Sequence, residues 1–87
     1  MYVLIVYDVE EKRVAKVNKF LKTYLNWVQN SVFEGELTEA QLNRIVLWFK
    51  GHLDLECDSV LIYTASSEKW LSKRVIGVEK NSTDNIL

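Results

Sequence analysis

Tyr2-Val3-Leu4-Ile5-Val6-Tyr7-Asp8 is an unbroken apolar run that stops at a carboxylate. Its density of β-branched and aromatic residues predicts a strand over residues 1–9, buried on both faces. Asp8 then falls at the C-terminal lip of a central strand, held rigidly and meeting solvent. That position suits metal or acid–base chemistry. It equally suits a cap for the helix that follows, because Asp is a favoured N-cap residue.

Outward from this strand, residues 10–25 read as a helix. Val14, Val17, Phe20, Leu21, Tyr24 and Leu25 recur at helical spacing and make its apolar stripe. Glu10 and Glu11 stand at its start, where negative charge complements the helix dipole. Lys12, Lys16, Lys19 and Lys22 fall on the opposite side. Such a row is either a solvated face or, beside a site, a set of phosphate contacts. Arg13 stands apart from the row, near the helix start and so near Asp8.

Residues 27–29 and 32–37 are short β-forming runs flanking Asn30-Ser31, which predicts a tight hairpin with turn residues at its tip. Gly35 inside the second run signals a bulge or the close approach of another backbone. Thr38-Glu39-Ala40-Gln41 is a capping box and opens a second helix. Leu42, Ile45, Val46, Phe49 and Leu53 form its buried stripe, with Leu47 and Trp48 off it. Gly51-His52 closes the helix, and His52, the single histidine, reads as a surface residue at a helix C-terminus.

Residues 58–65 predict another buried strand, preceded by Cys57 as a small core or edge residue. The polar stretch 66–73, with Trp70 and Leu71, suggests one short helical turn. Residues 74–79 read as a last strand and 81–87 as a polar tail. The order β-α-β-β-α-β with one extra strand is an α+β, ferredoxin-like plan, with a domain over residues 1–80 and a tail over 81–87.

Composition sets the limits. A chain of 87 residues supports one core, and 48% hydrophobic residues with ten aromatic side chains makes an oligomer the natural way to cover them. The net charge of −1 gives no global attraction for nucleic acid, so such a role needs a local basic patch. One cysteine excludes an intrachain disulfide and fits a reducing compartment. The apolar start is too short for a membrane span and lacks the basic region of a signal peptide, so a cytoplasmic protein is expected.

Two stretches together carry a family resemblance. Tyr7-Asp8-Val9 and the hairpin Val28-Gln29-Asn30-Ser31-Val32-Phe33-Glu34-Gly35-Glu36-Leu37-Thr38 resemble the small CRISPR-associated proteins of the Cas-two family, as do the chain length, element order and Lys12-Arg13-Val14. The pattern departs at Leu25 and Trp27, where many relatives carry glycine and arginine. The resemblance implies a homodimer in which the last strand of one subunit joins the sheet of the other. It implies paired Asp8 carboxylates binding Mg²⁺, with Tyr7, Arg13, Ser31 and Phe33 beside them. Arg13 would neutralise phosphate, Ser31 hydrogen-bond it, and Phe33 pack at the interface or stack on a base. Lys12, Lys16 and Lys19 would touch nucleic acid. The implied activity is metal-dependent endonuclease cleavage of RNA or DNA, with the Cas-one integrase of spacer acquisition as partner. The alternative within the family is a catalytically silent scaffold that binds DNA and the integrase. Outside it stand a protein-binding module in which Asp8 is only a cap, and a single-strand RNA binder, which few strand aromatics and a net charge of −1 disfavour.

Overall fold

In the computed structural model, described over residues 1–67 and 70–78, five strands and two helices follow the expected order. They are β1 (Tyr2–Asp8), α1 (Glu11–Leu21), β2 (Asn26–Gln29), β3 (Val32–Glu36), α2 (Glu39–His52), β4 (Ser59–Ser67) and β5 (Trp70–Gly77). The sheet order is β2-β3-β1-β4-β5, so the run that opens the chain is the central strand. Both neighbours pair with it antiparallel, as the ferredoxin-like plan requires.

Burial along β1 alternates. Val3, Ile5 and Tyr7 are buried, whereas Leu4 and Val6 are half-buried and Asp8 is exposed. The expectation of a strand covered on both faces is therefore met on one face only within a single chain. The covered face meets Val17 and Leu21 of α1 and Leu42, Ile45, Val46 and Phe49 of α2, with Phe33, Val60, Ile62 and Ile76 completing the core. The other face carries no helix. Directly opposite residues in a sheet share a face, so Val32, Val6, Leu61 and Val75 form one apolar row across β3, β1, β4 and β5. All four are half-buried.

Helix α1 stops earlier than its apolar stripe. Thr23 N–H and Tyr24 N–H donate to carbonyls three residues back, at Phe20 and Leu21, so the last turn tightens out of α geometry. Leu25 is nevertheless buried. A Cβ at Gly35 would stand 3.1 Å from Leu25 Cδ2, so the close neighbour here is a packed side chain and not another backbone. The bulge itself lies in β2, between Trp27 and Gln29. Asn30 takes a left-handed conformation, φ 46°, at the hairpin tip, a geometry Asn tolerates well. The capping box of α2 forms on both sides: Gln41 N–H donates to Thr38 Oγ1 at 3.1 Å, and Thr38 N–H to Gln41 Oε1 at 2.9 Å.

Two expectations are corrected at the C-terminal end. Residues 66–73 contain no helical turn among those described; β4 is long enough that the chain folds back on it, with Ser67 opposite Trp70 and Leu61 opposite Val75. The last strand thus begins at Trp70, four residues earlier than expected, and pairs along one edge with β4. The expected tail over residues 81–87 lies outside the described residues. No helix among them is long and apolar enough to cross a membrane.

Candidate nucleic-acid and metal site

Asp8 ends β1 on the helix-free face, one step beyond Val6 and opposite Ser59 of β4. The N-cap of α1 is Glu10, whose side chain makes no capping bond, so the cap position does not belong to Asp8. Tyr7, on the other face of the same strand end, is buried. Its hydroxyl meets Asn18 Oδ1 of α1, and its ring lies 6.3 Å from that of Phe33. Burial raises the Tyr7 pKa, partly offset by Ser31 and Asn18. Tyr7 N–H donates to Ser31 O at 3.1 Å, tying the hairpin tip to the strand end that bears Asp8. Asp8, Tyr7 and Ser31 are therefore brought together. Phe33, on β3, is fully buried in the core beneath the helices and so is not placed to stack on a base.

Arg13 has a more demanding set of partners than a free phosphate ligand. Its Nε donates to Asp58 Oδ2 at 2.5 Å, and its terminal nitrogen to Asp58 Oδ1 at 3.1 Å and Glu10 Oε1 at 2.9 Å. Asp58 is fully buried and was missed in the sequence, where it read as the first residue of a strand. It also accepts from the backbone N–H groups of Glu10, at 2.9 Å, and Asp54, at 3.0 Å. Burial pushes the Asp58 pKa up, but Arg13 and the two backbone donors outweigh it and hold it at about 2. The signal that could have found it is an acid at the start of the strand beside β1, together with Arg13, a cation on a helix side away from the lysine row.

Among the described residues, Glu10, Asp54 and Cys57 place potential metal-ligating atoms within 4.8 Å of one another. The Cys57 thiol donates to Glu10 Oε1 at 3.0 Å. That bond, burial and Asp54 push its pKa up to about 12, so it stays protonated. A neutral thiol beside carboxylates is not a donor set for Mg²⁺, which takes oxygen ligands. Asp8 is a hard oxygen donor at the sheet surface and fits that ion, provided a second carboxylate converges on it.

Lys12, Lys16 and Lys19 are all exposed along α1, starting one turn beyond Asp8. Trp27, which as a strand aromatic reads as core, is instead 56% exposed, its indole N–H bonded to Asn30 O at 2.9 Å. His52 is exposed at the end of α2, as expected, and stacks on Trp48, which in turn stacks on Phe20.

The family profile of CRISPR associated protein Cas2 matches residues 1–73. The chain belongs to the Cas2 family. It is 51% identical over 87 residues to a protein of Methanothermobacter thermautotrophicus named CRISPR-associated endoribonuclease Cas2, covering 100% of this chain and 96% of that protein. A Pyrococcus furiosus protein of the same name is 48% identical over 87 residues, with both chains fully covered. Among solved structures, a Cas2 crystal structure superposes with a TM-score of 0.74 at 47% identity, covering 100% of this chain and 98% of that one. Streptococcus pyogenes Cas2, crystallised at pH 6.5, gives a TM-score of 0.70 at 34% identity, covering 80% and 90%. The family's ferredoxin-like architecture is the one described above.

Proposed function

We propose that this Cas2 chain works as a homodimer that pairs its Asp8 carboxylates around Mg²⁺ and cleaves phosphodiester bonds of RNA or DNA in CRISPR spacer acquisition. The observation that carries this reading is the shared face. Asp8 projects from the same helix-free side of the sheet as the row Val32, Val6, Leu61 and Val75. An apolar sheet face that a single chain leaves half-covered favours a second copy. A two-fold axis on that face would bring two aspartates together. Two carboxylates at close range repel, and a hard divalent cation relieves the repulsion.

The metal, when bound, polarises the phosphodiester and lowers the pKa of a water ligand. The protein's part is to hold and orient. Asp8 supplies the anionic ligand, and the tie from Tyr7 N–H to Ser31 O fixes the strand end against the hairpin. Ser31 lies opposite Tyr7, and its side chain hydrogen-bonds that residue, so its part is to brace the strand end that carries Asp8. Arg13 is neutralised by Asp58 and Glu10, so it holds the β1–α1 turn and is not a free phosphate clamp. The names of the relatives favour RNA as substrate. The silent-scaffold reading predicts the same dimer without cutting, and the Cas-one integrase is the assembly partner under either reading. Both activities belong in the cytoplasm.

Two results test the surfaces. Leu61→Lys sets a charge in the centre of the apolar row and is expected to weaken the dimer by about 2 kcal/mol or more, roughly 30-fold in Kd. Sedimentation at graded concentrations reads it, and an unchanged dimer would place the interface elsewhere. Replacing Lys12, Lys16 and Lys19 by Gln is expected to flatten the dependence of log affinity on log salt by about one unit per lost phosphate contact. An unaltered slope would make the row a solvated face only.

A further inference from the structure

Asp58 joins four segments that are distant in sequence. Its carboxylate accepts from Glu10 N–H, at the turn between β1 and α1, and from Arg13 in the first turn of α1. It also accepts from Asp54 N–H in the connection from α2. Its carbonyl accepts from Val78 N–H at 3.1 Å, where the chain leaves β5. Gly77 makes that last approach possible: its φ is +89°, and a Cβ there would stand 2.1 Å from Asp58 O. The next residue, Ser59, is itself buried and is the partner of Asp8 in the β1–β4 register.

The connection from Asp8 through Val9 to the N-cap Glu10 is therefore fixed at both ends. At one end Asp8 is in register with Ser59, and at the other Glu10 N–H is bound by the residue before Ser59. Because Asp58 is fully buried and held by four donated bonds from Arg13, Glu10 and Asp54, it cannot relax independently of this turn. We infer that Asp58 is a positioning residue for Asp8, setting the geometry of the metal carboxylate through the β1–α1 turn without touching the metal. The inference rests on the assignment of Asp8 as metal ligand. Groups that orient metal ligands contribute substantially to affinity, and their loss weakens binding by about 10- to 100-fold.

The test is Mn²⁺ affinity, by titration calorimetry on the intact protein, at a temperature where circular dichroism shows each variant folded. Asp58→Asn removes one anionic partner of the turn and keeps the side chain's size. It is expected to weaken Mn²⁺ binding by at least about tenfold. Arg13→Lys keeps a cation beside Asp58 but loses the planar fork, and is expected to weaken binding in the same direction by less. Should Asp58→Asn fail to fold, Arg13→Lys decides. Ile45→Ala, a core truncation, lowers the melting temperature and is expected to leave the affinity unchanged. Wild-type affinity in both site variants, or an equal loss in Ile45→Ala, would overturn the positioning role and leave the Asp8 assignment standing. Wild-type affinity in Asp8→Ala would overturn both.

Discussion

Asp8→Ala is expected to reduce Mg²⁺-dependent phosphodiester cleavage by at least about 10²-fold while fold and dimer persist, the scale seen when one preorganised electrostatic group is removed from a reacting centre. The expectation follows from position. Asp8 is exposed, ends the central strand, and holds no cap position, because α1 is capped at Glu10. Its removal therefore costs the core little. A capping residue would behave in the opposite way, with a loss of about 1 kcal/mol in stability and unchanged chemistry. Cleavage of short single-stranded RNA and duplex DNA, with Mg²⁺ and with chelator, separates the two. Cutting that survives the substitution would remove Asp8 from the chemistry.

Asp58→Asn is expected to produce the largest loss of stability, about 3–5 kcal/mol, because it breaks a buried ion pair and leaves the Arg13 guanidinium in a mostly buried place with only Glu10 as counter-charge. For a domain of this size each 1 kcal/mol shifts the melting temperature by about 4–8 °C, so a fall of roughly 12 °C or more is expected by calorimetry. The pH dependence has a definite sign. The folded-state pKa of Asp58, about 2, lies below the ordinary value of 3.8. Its contribution is thus complete above the unfolded-state pKa and is lost as pH falls from about 4 towards 2. Wild type should lose stability through that window. Asp58→Asn should lose less, because the group that takes up the proton is gone. Parallel curves for the two would show that the pair contributes nothing to acid stability.

The scaffold was legible because its signals are local. The apolar run of β1, the Asn30-Ser31 tip and the Thr38–Gln41 capping box each specify their own geometry, and all three formed, although β1 is covered on one face only. The end of α1 and the β4–β5 hairpin were less legible. Tyr24 and Leu25 keep helical spacing although the backbone has already tightened, and Trp70 becomes strand because β4 offers it a partner. Both outcomes are set by neighbours in space.

The site divides in the same way. Asp8 was legible as the acid that ends an apolar run. Asp58 was not, because its partners Glu10 and Arg13 lie 48 and 45 residues away in the chain. Arg13, accordingly, was read towards Asp8, although its hydrogen bonds go to Asp58 and Glu10. Phe33 and Trp27 exchanged their expected environments. Trp27 lies opposite Phe33 in register but on the edge strand β2 and is exposed, while Phe33, one strand further in, is fully buried.

In the proposed dimer, two Asp8 side chains share one metal across a two-fold axis. The stoichiometry of Mn²⁺ binding to the intact protein tests it most directly, by calorimetry and by electron paramagnetic resonance of the bound ion. One ion for every two chains is expected, lost in Asp8→Ala. One ion per chain, or half-stoichiometric binding that survives Asp8→Ala, would contradict it.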